Sequence, residues 1–544
     1  MSPGSMNRRT VLRAIGGVTA ATALPTLLGA CSGGPASKPN TSTSNAKVQL
    51  PTFVPYEGVK PDLAPTTDGI QAGFLSYPAE PVAGLTEKPG SGGALVAMVS
   101  NPGPIPPVNG NRYLQSMAQV LNVDLKPRFI PLAEYTSKLA TVVASDDIPD
   151  FLQLLGVGRV PELLRAKFAD LTDYLSGDAV KEYPFLANLP TESWRTCVFN
   201  GGIYGLPIPR AAVGPLMYYR ADLLAEKGLN GNPNSFEEFR TLCRELTDER
   251  SNKWACVSPN GVKIFVQQML GVPTSDWQEK DGTFTNIWEL PETEQAIGVV
   301  ADLWKDGVFH PDSLSGSIDA KTTFIAGTVS VHYDNYTAWS GYAQQALPSN
   351  ADFRLEGMLP PNFDGSSERS LWKGYPSYST AVIKKASKER VTELLRVANA
   401  LAAPFGTKEY LQFKLGVEGV HYTKKGTDPA PTSTGTAEVA TVLNYLASPP
   451  AILYEPGNPE LTKQEHAYQQ KAIPIANQSP TLGLYSNTQG SQGAQLTQAM
   501  TDAQNEIITG RKPISTWKDA VRDWKQKGGD KVRSEYAESF AASQ

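Results

Sequence analysis

The sequence predicts an α/β protein built of two units of mostly parallel sheet flanked by helices. Three observations carry that reading. Short apolar runs alternate with amphipathic helical stretches over short connections, the pattern of a doubly wound parallel sheet. The same alternation starts afresh after residue 212. A chain of 544 residues also exceeds what one hydrophobic core holds, so it divides into domains.

Residues 1–31 read as an export signal. Asn7-Arg8-Arg9-Thr10-Val11-Leu12-Arg13 precedes a modestly apolar run ending at Leu28-Gly29-Ala30-Cys31. Arg13, Thr19, Thr22 and Pro25 interrupt that run, which falls short of the roughly 20 apolar residues of a spanning helix. The paired arginines resemble a twin-arginine signal. Leu-Gly-Ala-Cys looks like a bacterial lipobox, whose cleavage leaves Cys31 as a lipidated terminus. The expectation is an extracytoplasmic protein anchored to the cell membrane through Cys31; the alternative is an ordinary secretory signal with a chance cysteine.

Residues 32–93 combine a polar tether, 32–46, with a proline-rich strap. Prolines at 51, 55, 61, 65, 78, 81 and 89 forbid regular helix or central strand. Phe53, Tyr56, Phe74 and Tyr77 recur among them, and disordered segments are poor in aromatics. The strap is therefore expected to lie on the body of the protein.

The body opens with a buried strand at 94–99, bounded by Gly92-Gly93 and Asn101-Pro102-Gly103-Pro104. Tyr113, Met117, Val120 and Leu121 mark a helix, 126–130 a strand, and Tyr135, Leu139, Val142 and Val143 a second helix. A strand follows at 150–155. The second unit has a strand at 216–219, a short helix at 221–227 and a capping box, Ser235-Phe236-Glu237-Glu238. The helix it opens buries Phe236, Phe239, Leu242, Cys243 and Leu246. Ile297, Val300 and Trp304 mark another helix before a strand at 328–333. A strand at 381–384 leads into a helix carrying Val391, Leu394, Leu395 and Ala398.

Composition narrows the function. The net charge of −5 shows no basic excess, so nucleic acid is not expected as a partner. The four histidines form no HExxH, and no GxSxG elbow or Walker-type loop is present. Gly156-Val157-Gly158 lacks the third glycine of a dinucleotide fingerprint, because Pro161 stands in its place. Cys197, Cys243 and Cys256 show no metal-ligand spacing; Cys243 and Cys256 form a plausible disulfide pair, and three buried hydrophobic thiols are the favoured alternative. Paired carboxylates for glycoside hydrolysis remain open among 54 acidic residues. Nine tryptophans and 21 tyrosines suit a ligand cleft, because aromatic faces match the C–H faces of a sugar ring. Trp304, Trp517 and Trp524 are assigned to the core, whereas Trp339 and Trp372 are left open between cleft and core.

Several motifs in order resemble a known family between about residues 94 and 425. They are Tyr135-Thr136-Ser137-Lys138-Leu139 with Asp146-Asp147-Ile148-Pro149-Asp150, then Asn200-Gly201-Gly202-Ile203-Tyr204-Gly205-Leu206-Pro207. Tyr219-Arg220-Ala221-Asp222-Leu223-Leu224, Phe324-Ile325-Ala326-Gly327-Thr328-Val329 and Gly416-Val417-Glu418-Gly419-Val420-His421-Tyr422 continue the series. Together they resemble the extracellular solute-binding lipoproteins of ABC importers, in the carbohydrate-binding group that includes maltose-binding protein.

That resemblance implies a two-lobed, type II periplasmic-binding-protein-like fold with interlobe crossings and hinge closure on a ligand. It divides the chain into a first lobe, 94–212 plus 365–410, and a second, 213–364 plus 411–544. It implies a carbohydrate ligand, the transmembrane subunits of an ABC permease as partners, a monomeric state and no catalysis. No metal or cofactor is expected, since Asp248-Glu249-Arg250-Ser251-Asn252-Lys253 lacks the alternating oxygens of a calcium loop. By position it assigns Tyr336 and Trp339 as aromatic stackers beside Asp334, Gln153 to a first-lobe loop, and Arg210 to the first crossing. Trp372 and Tyr375 fall at the second crossing, and Glu418 and His421 face the cleft. Asn101 ends a parallel strand, where ligands of open α/β sheets bind. The rival readings are a peptide-binding receptor, a secreted glycan-degrading enzyme and a sugar-sensing lipoprotein.

Overall fold

The computed structural model describes residues 40–542 except 146, 316 and 367–370. The expected export signal, Cys31 and the tether up to residue 39 lie outside the described residues.

Strand β1 (Ala94–Asn101) leads through α1 (Arg112–Leu121) to β2 (Asp124–Pro131), then through α2 (Leu132–Ala144) to β3 (Phe151–Leu154). After α3 (Val160–Lys167) and several short turns, β4 (Leu206–Pro209) leaves the first lobe. The second lobe runs β5 (Leu216–Arg220), α4 (Phe236–Leu246), β6 (Trp254–Cys256), α5 (Pro259–Met269), α6 (Pro291–Lys305), β7 (Val329–Asp334), α7 (Ala338–Ala346) and β8 (Leu355–Met358). Strand β9 (Ser377–Ile383) returns to the first sheet, so the two sheets read β2-β1-β3-β9-β4 and β8-β5-β7-β6. Ser235 caps α4 as its motif predicts, its hydroxyl accepting from the Glu238 amide.

Each sheet contains one reversed strand, β9 in the first and β5 in the second. Both enter their sheet directly from a crossing and so run away from the hinge. The other strands reach their sheets from the far end and run toward the hinge. Along β1, alternation sends Leu95, Ala97 and Val99 to one core and Met98 to the other. In β5, Leu216 and Tyr218 likewise face one core while Met217 and Tyr219 face the other.

Beyond β9, α8 (Lys388–Leu401) and α9 (Lys408–Leu415) cover the first sheet. The expected boundary at 411 is corrected here. Phe413, Val442, Leu443 and Ala447 enter the same core as Leu95 and Tyr113, so residues 411–447 belong to the first lobe. The chain crosses a third time between Ala447 and Leu453, and α10 (Pro459–Ala472) and α11 (Asn487–Ile508) then pack on the second lobe. The first two crossings lie side by side. Val213 bridges Lys373, the Gly374 amide donates to Ala212 O, and the Arg210 amide donates to Pro376 O.

The strap lies on the body and visits both lobes. Thr52 and Val54 donate to Gly177 O and Ala187 O of the first lobe. Gly73–Phe74 then pairs with Leu453–Tyr454, while Gln71 bonds Gln469 of α10. Returning, Tyr77 donates to Thr407 O at 2.8 Å, and Ser91 reaches Glu393 through its amide and hydroxyl. Gly406 is required where the strap presses close: its φ is +88°, and a Cβ there would collide with Val59.

The last part of the predicted tether is ordered instead. Ser42–Ala46 is a short helix capped by Thr41, and the side chains of Asn40 and Asn45 accept from the Asn200 and Gly201 amides. Side chains of this type satisfy turn amides, which is what docks the segment. Cys197, Cys243 and Cys256 are buried free thiols, with the Sγ atoms of Cys243 and Cys256 4.0 Å apart. Among the described residues no helix is long and apolar enough to cross a membrane.

Candidate ligand cleft

A cavity of about 340 Å³ lies between the lobes. The first crossing, the 441–445 turn of the first lobe, the start of α7, α10 and the third crossing all contribute to its wall, and Gln71 of the strap completes it.

Arg210 spans the two lobes. Its guanidinium lies 4.5 Å from the centre of the Tyr378 ring on β9, and Nη1 donates to Thr337 Oγ1 at 3.0 Å. Tyr445 packs against Tyr378 with ring centres 5.0 Å apart. An aromatic face orients a guanidinium without consuming its N–H groups.

Tyr336 forms the opposite wall and is held through the strap. Gln469 Nε2 donates to the Tyr336 hydroxyl at 2.8 Å and to Gln71 Oε1 at 2.6 Å. The Gln71 amide donates back to Gln469 Oε1.

Three ionisable groups in the wall carry unusual electrostatics. Burial pushes the Lys414 ammonium down to about 8, and no nearby carboxylate offsets it. Burial pushes the Glu455 carboxyl up, although Ser340 donates to it at 2.7 Å. Glu465 is only 4% exposed. Burial first, and the neighbouring Glu455 second, push its carboxyl well above the usual range, with no hydrogen-bond partner for it among the described residues. The cavity therefore carries two basic groups, Arg210 and Lys414, beside two carboxyls whose anionic form burial disfavours.

The structure brings only Arg210 and Tyr336 of the expected site residues into this cavity. Asp334 stands just behind it, accepting from Tyr342 OH at 2.6 Å and from the Asn335 amide, and so holds the turn that carries Tyr336. Trp339 is core: it is 1% exposed and packs between Tyr218 and Tyr468. Trp372 is half-buried in a two-stranded ribbon with Asn477, and Tyr375 is exposed on the second crossing; neither lines the cavity.

Four assignments are corrected. Gln153 is fully buried inside the first sheet, where Oε1 accepts from Ser100 N and Oγ and Nε2 donates to Ser379 Oγ. Asn101 turns back on its own loop, bonding Gly103 N and Pro104 O. His421 is fully buried, with Nδ1 accepting from Val417 N and Nε2 3.2 Å from Glu438. Glu418 pairs with Lys424 at the surface. Each is satisfied by the protein itself, and none reaches the cavity.

Sequence reasoning missed Lys414, Glu455, Glu465 and Gln71. A signal existed for two of them. Glu465 lies on the stripe Leu461, Tyr468, Ala472 of α10, and Lys414 lies four residues after Tyr410 on α9. A charged residue on the inner face of a helix needs a partner or a cavity.

No family model matches the chain. It is 21% identical over 447 residues to the polygalacturonan/rhamnogalacturonan-binding protein YtcQ of Bacillus subtilis, covering 79% of this chain and 88% of that protein. It is also 21% identical to lipoprotein LipO of the same organism, covering 81% and 91% of the two chains. Among solved structures, an HMO-binding, ABC-transporter-associated solute-binding protein from Bifidobacterium longum infantis superposes with a TM-score of 0.63 at 14% identity, over 83% of this chain and 98% of that one. The N-glycan transport solute-binding protein NgtS of Streptococcus pneumoniae gives 0.57 at 16% identity, over 83% and 99%. The fold is that of the two-lobed solute-binding proteins. These comparisons return the same group that the sequence motifs resemble, and the relatives they name are binding proteins and a lipoprotein.

Proposed function

We propose that this protein is the capture subunit of an ABC importer, binding a saccharide between its lobes and handing it to the permease. The observation that carries the reading is the polar and aromatic cavity between the lobes, walled in part by the first and third crossings, in a chain whose relatives bear saccharide-binding names. Closure of two lobes removes a ligand from water and gives the permease one shape to read. The protein acts outside the cytoplasm, as a monomer held to the membrane by lipid on Cys31, and it releases its ligand chemically unchanged.

Thermal melting of the secreted form against mono- and oligosaccharides and short peptides tests this. A ligand at a thousandfold over its Kd adds about 4 kcal/mol of stability, so one glycan class should raise the melting temperature while remaining intact in solution. Stabilisation by peptides alone would favour the peptide receptor, and consumption of the glycan the hydrolase. Labelling of the wild type but not of Cys31→Ser by a fatty-acid analogue tests the anchor.

A further inference from the structure

We propose that the cavity seats a saccharide by an anionic substituent, a sugar carboxylate held between Arg210 and Lys414. This rests on the carbohydrate reading above and names the chemical class of the ligand.

Two cationic side chains line the same interlobe cavity; each meets an aromatic ring, Arg210 that of Tyr378 and Lys414 that of Tyr410, and neither has a carboxylate in ion-pair range among the described residues. Elsewhere Arg220 pairs with Asp222 at 2.7 Å, and Arg390 with Asp150 and Glu393. A cation withdrawn from water without a partner is costly, and an incoming anion relieves that cost. Arg210 is also set up geometrically. Its plane is fixed against Tyr378 and one edge is anchored on Thr337, leaving further N–H groups for a fork onto a carboxylate.

The two acids in the wall do not contradict this. Burial raises both carboxyls, Glu455 and Glu465, and so disfavours the anions that would compete with a ligand for the two cations. A saccharide bearing an ammonium group is the competing ligand, because it would draw both acids into ionising.

The test is calorimetric titration with oligogalacturonates and alginate oligomers, the same chains with their carboxylates reduced to alcohols, and glucosamine oligomers. The expected result is at least tenfold tighter binding of an acidic oligomer than of its reduced form. Lys414→Gln and Arg210→Gln should erase that preference, while Lys414→Arg retains it. Residual binding of the reduced oligomer by the Gln variants shows that they are folded. Equal affinity for acidic and reduced chains, or preference for the amine, overturns the proposal and leaves the carbohydrate reading standing. An acidic preference that survives in both Gln variants overturns the assignment to these residues. Absence of binding by every saccharide defeats the carbohydrate reading and the proposal with it.

Discussion

The molecule buries polar groups in two contrasting places. Inside the first sheet, Gln153, Ser100 and Ser379 satisfy one another completely. In the cleft, Lys414 and Glu465 have no ion-pair or side-chain hydrogen-bond partner among the described residues, the Lys414 ammonium standing only over the Tyr410 ring at 6.0 Å. Burial is common to both; what differs is whether the protein supplies the other half of each bond. A closed set stabilises the fold, whereas an open one costs stability and marks where a ligand completes the structure.

The contrast predicts different responses to substitution. Gln153→Leu strands the Ser100 amide and hydroxyl and should destabilise by about 2–4 kcal/mol in denaturant unfolding. Ligand affinity of the folded protein should hardly change. An equally large loss of affinity at unchanged stability would erase the distinction between the two regions.

Two glutamates sharpen it through pH. Glu393 accepts from Ser91 and Arg390, and these bonds outweigh its burial and hold its carboxyl down to about 2. A depressed folded pKa gives stability that is present above the unfolded value of 4.5 and lost as pH falls toward 2. That loss is about 1–3 kcal/mol, and Glu393→Gln should remove it. Glu465 has the opposite sign. Its raised pKa favours the protonated fold, so stability falls as pH rises from the unfolded value through the folded one. Glu465→Gln, which mimics the protonated acid, should flatten that decline in a series of melts against pH. A decline of the same slope in both proteins would mean that Glu465 ionises freely.

Smallest is Tyr336→Phe, which removes one acceptor for Gln469 at the edge of the open set. The expected cost is about 0.5–1 kcal/mol of stability, read in the same unfolding assay. A larger cost would place Tyr336 with the closed set.

Much of the fold was legible because its strands are short apolar runs between turn residues, as at 94–99 and 216–219. The lobe boundary at 411 was not. The apolar stripe of α9 states that one face is buried and says nothing of which sheet it covers. The site was legible where position in the chain fixes position in space, as for Arg210 on a crossing and Tyr336 beyond a strand that ends at the cleft. Gln153 and His421 misled because a polar residue near a strand end reads alike whether its partners are protein or ligand. Their partners, Ser379 and Glu438, lie 226 and 17 residues away. Trp339 misled for a related reason, since its place in a loop-to-helix turn does not reveal that Tyr218 and Tyr468 close over it.

The strap sets an order of events during synthesis. Gln71 and Gln469 are 398 residues apart, so at about 5–20 residues per second the ribosome makes the first some 20–80 s before the second. The neighbouring Gly73–Tyr77 meets Thr407 and Leu453, which also come late, whereas Thr52 and Val54 meet the earlier Gly177 and Ala187. The stretch from Gln71 to Tyr77 is thus made among the earliest and seated among the last, after the start of the strap has found its place on the first lobe.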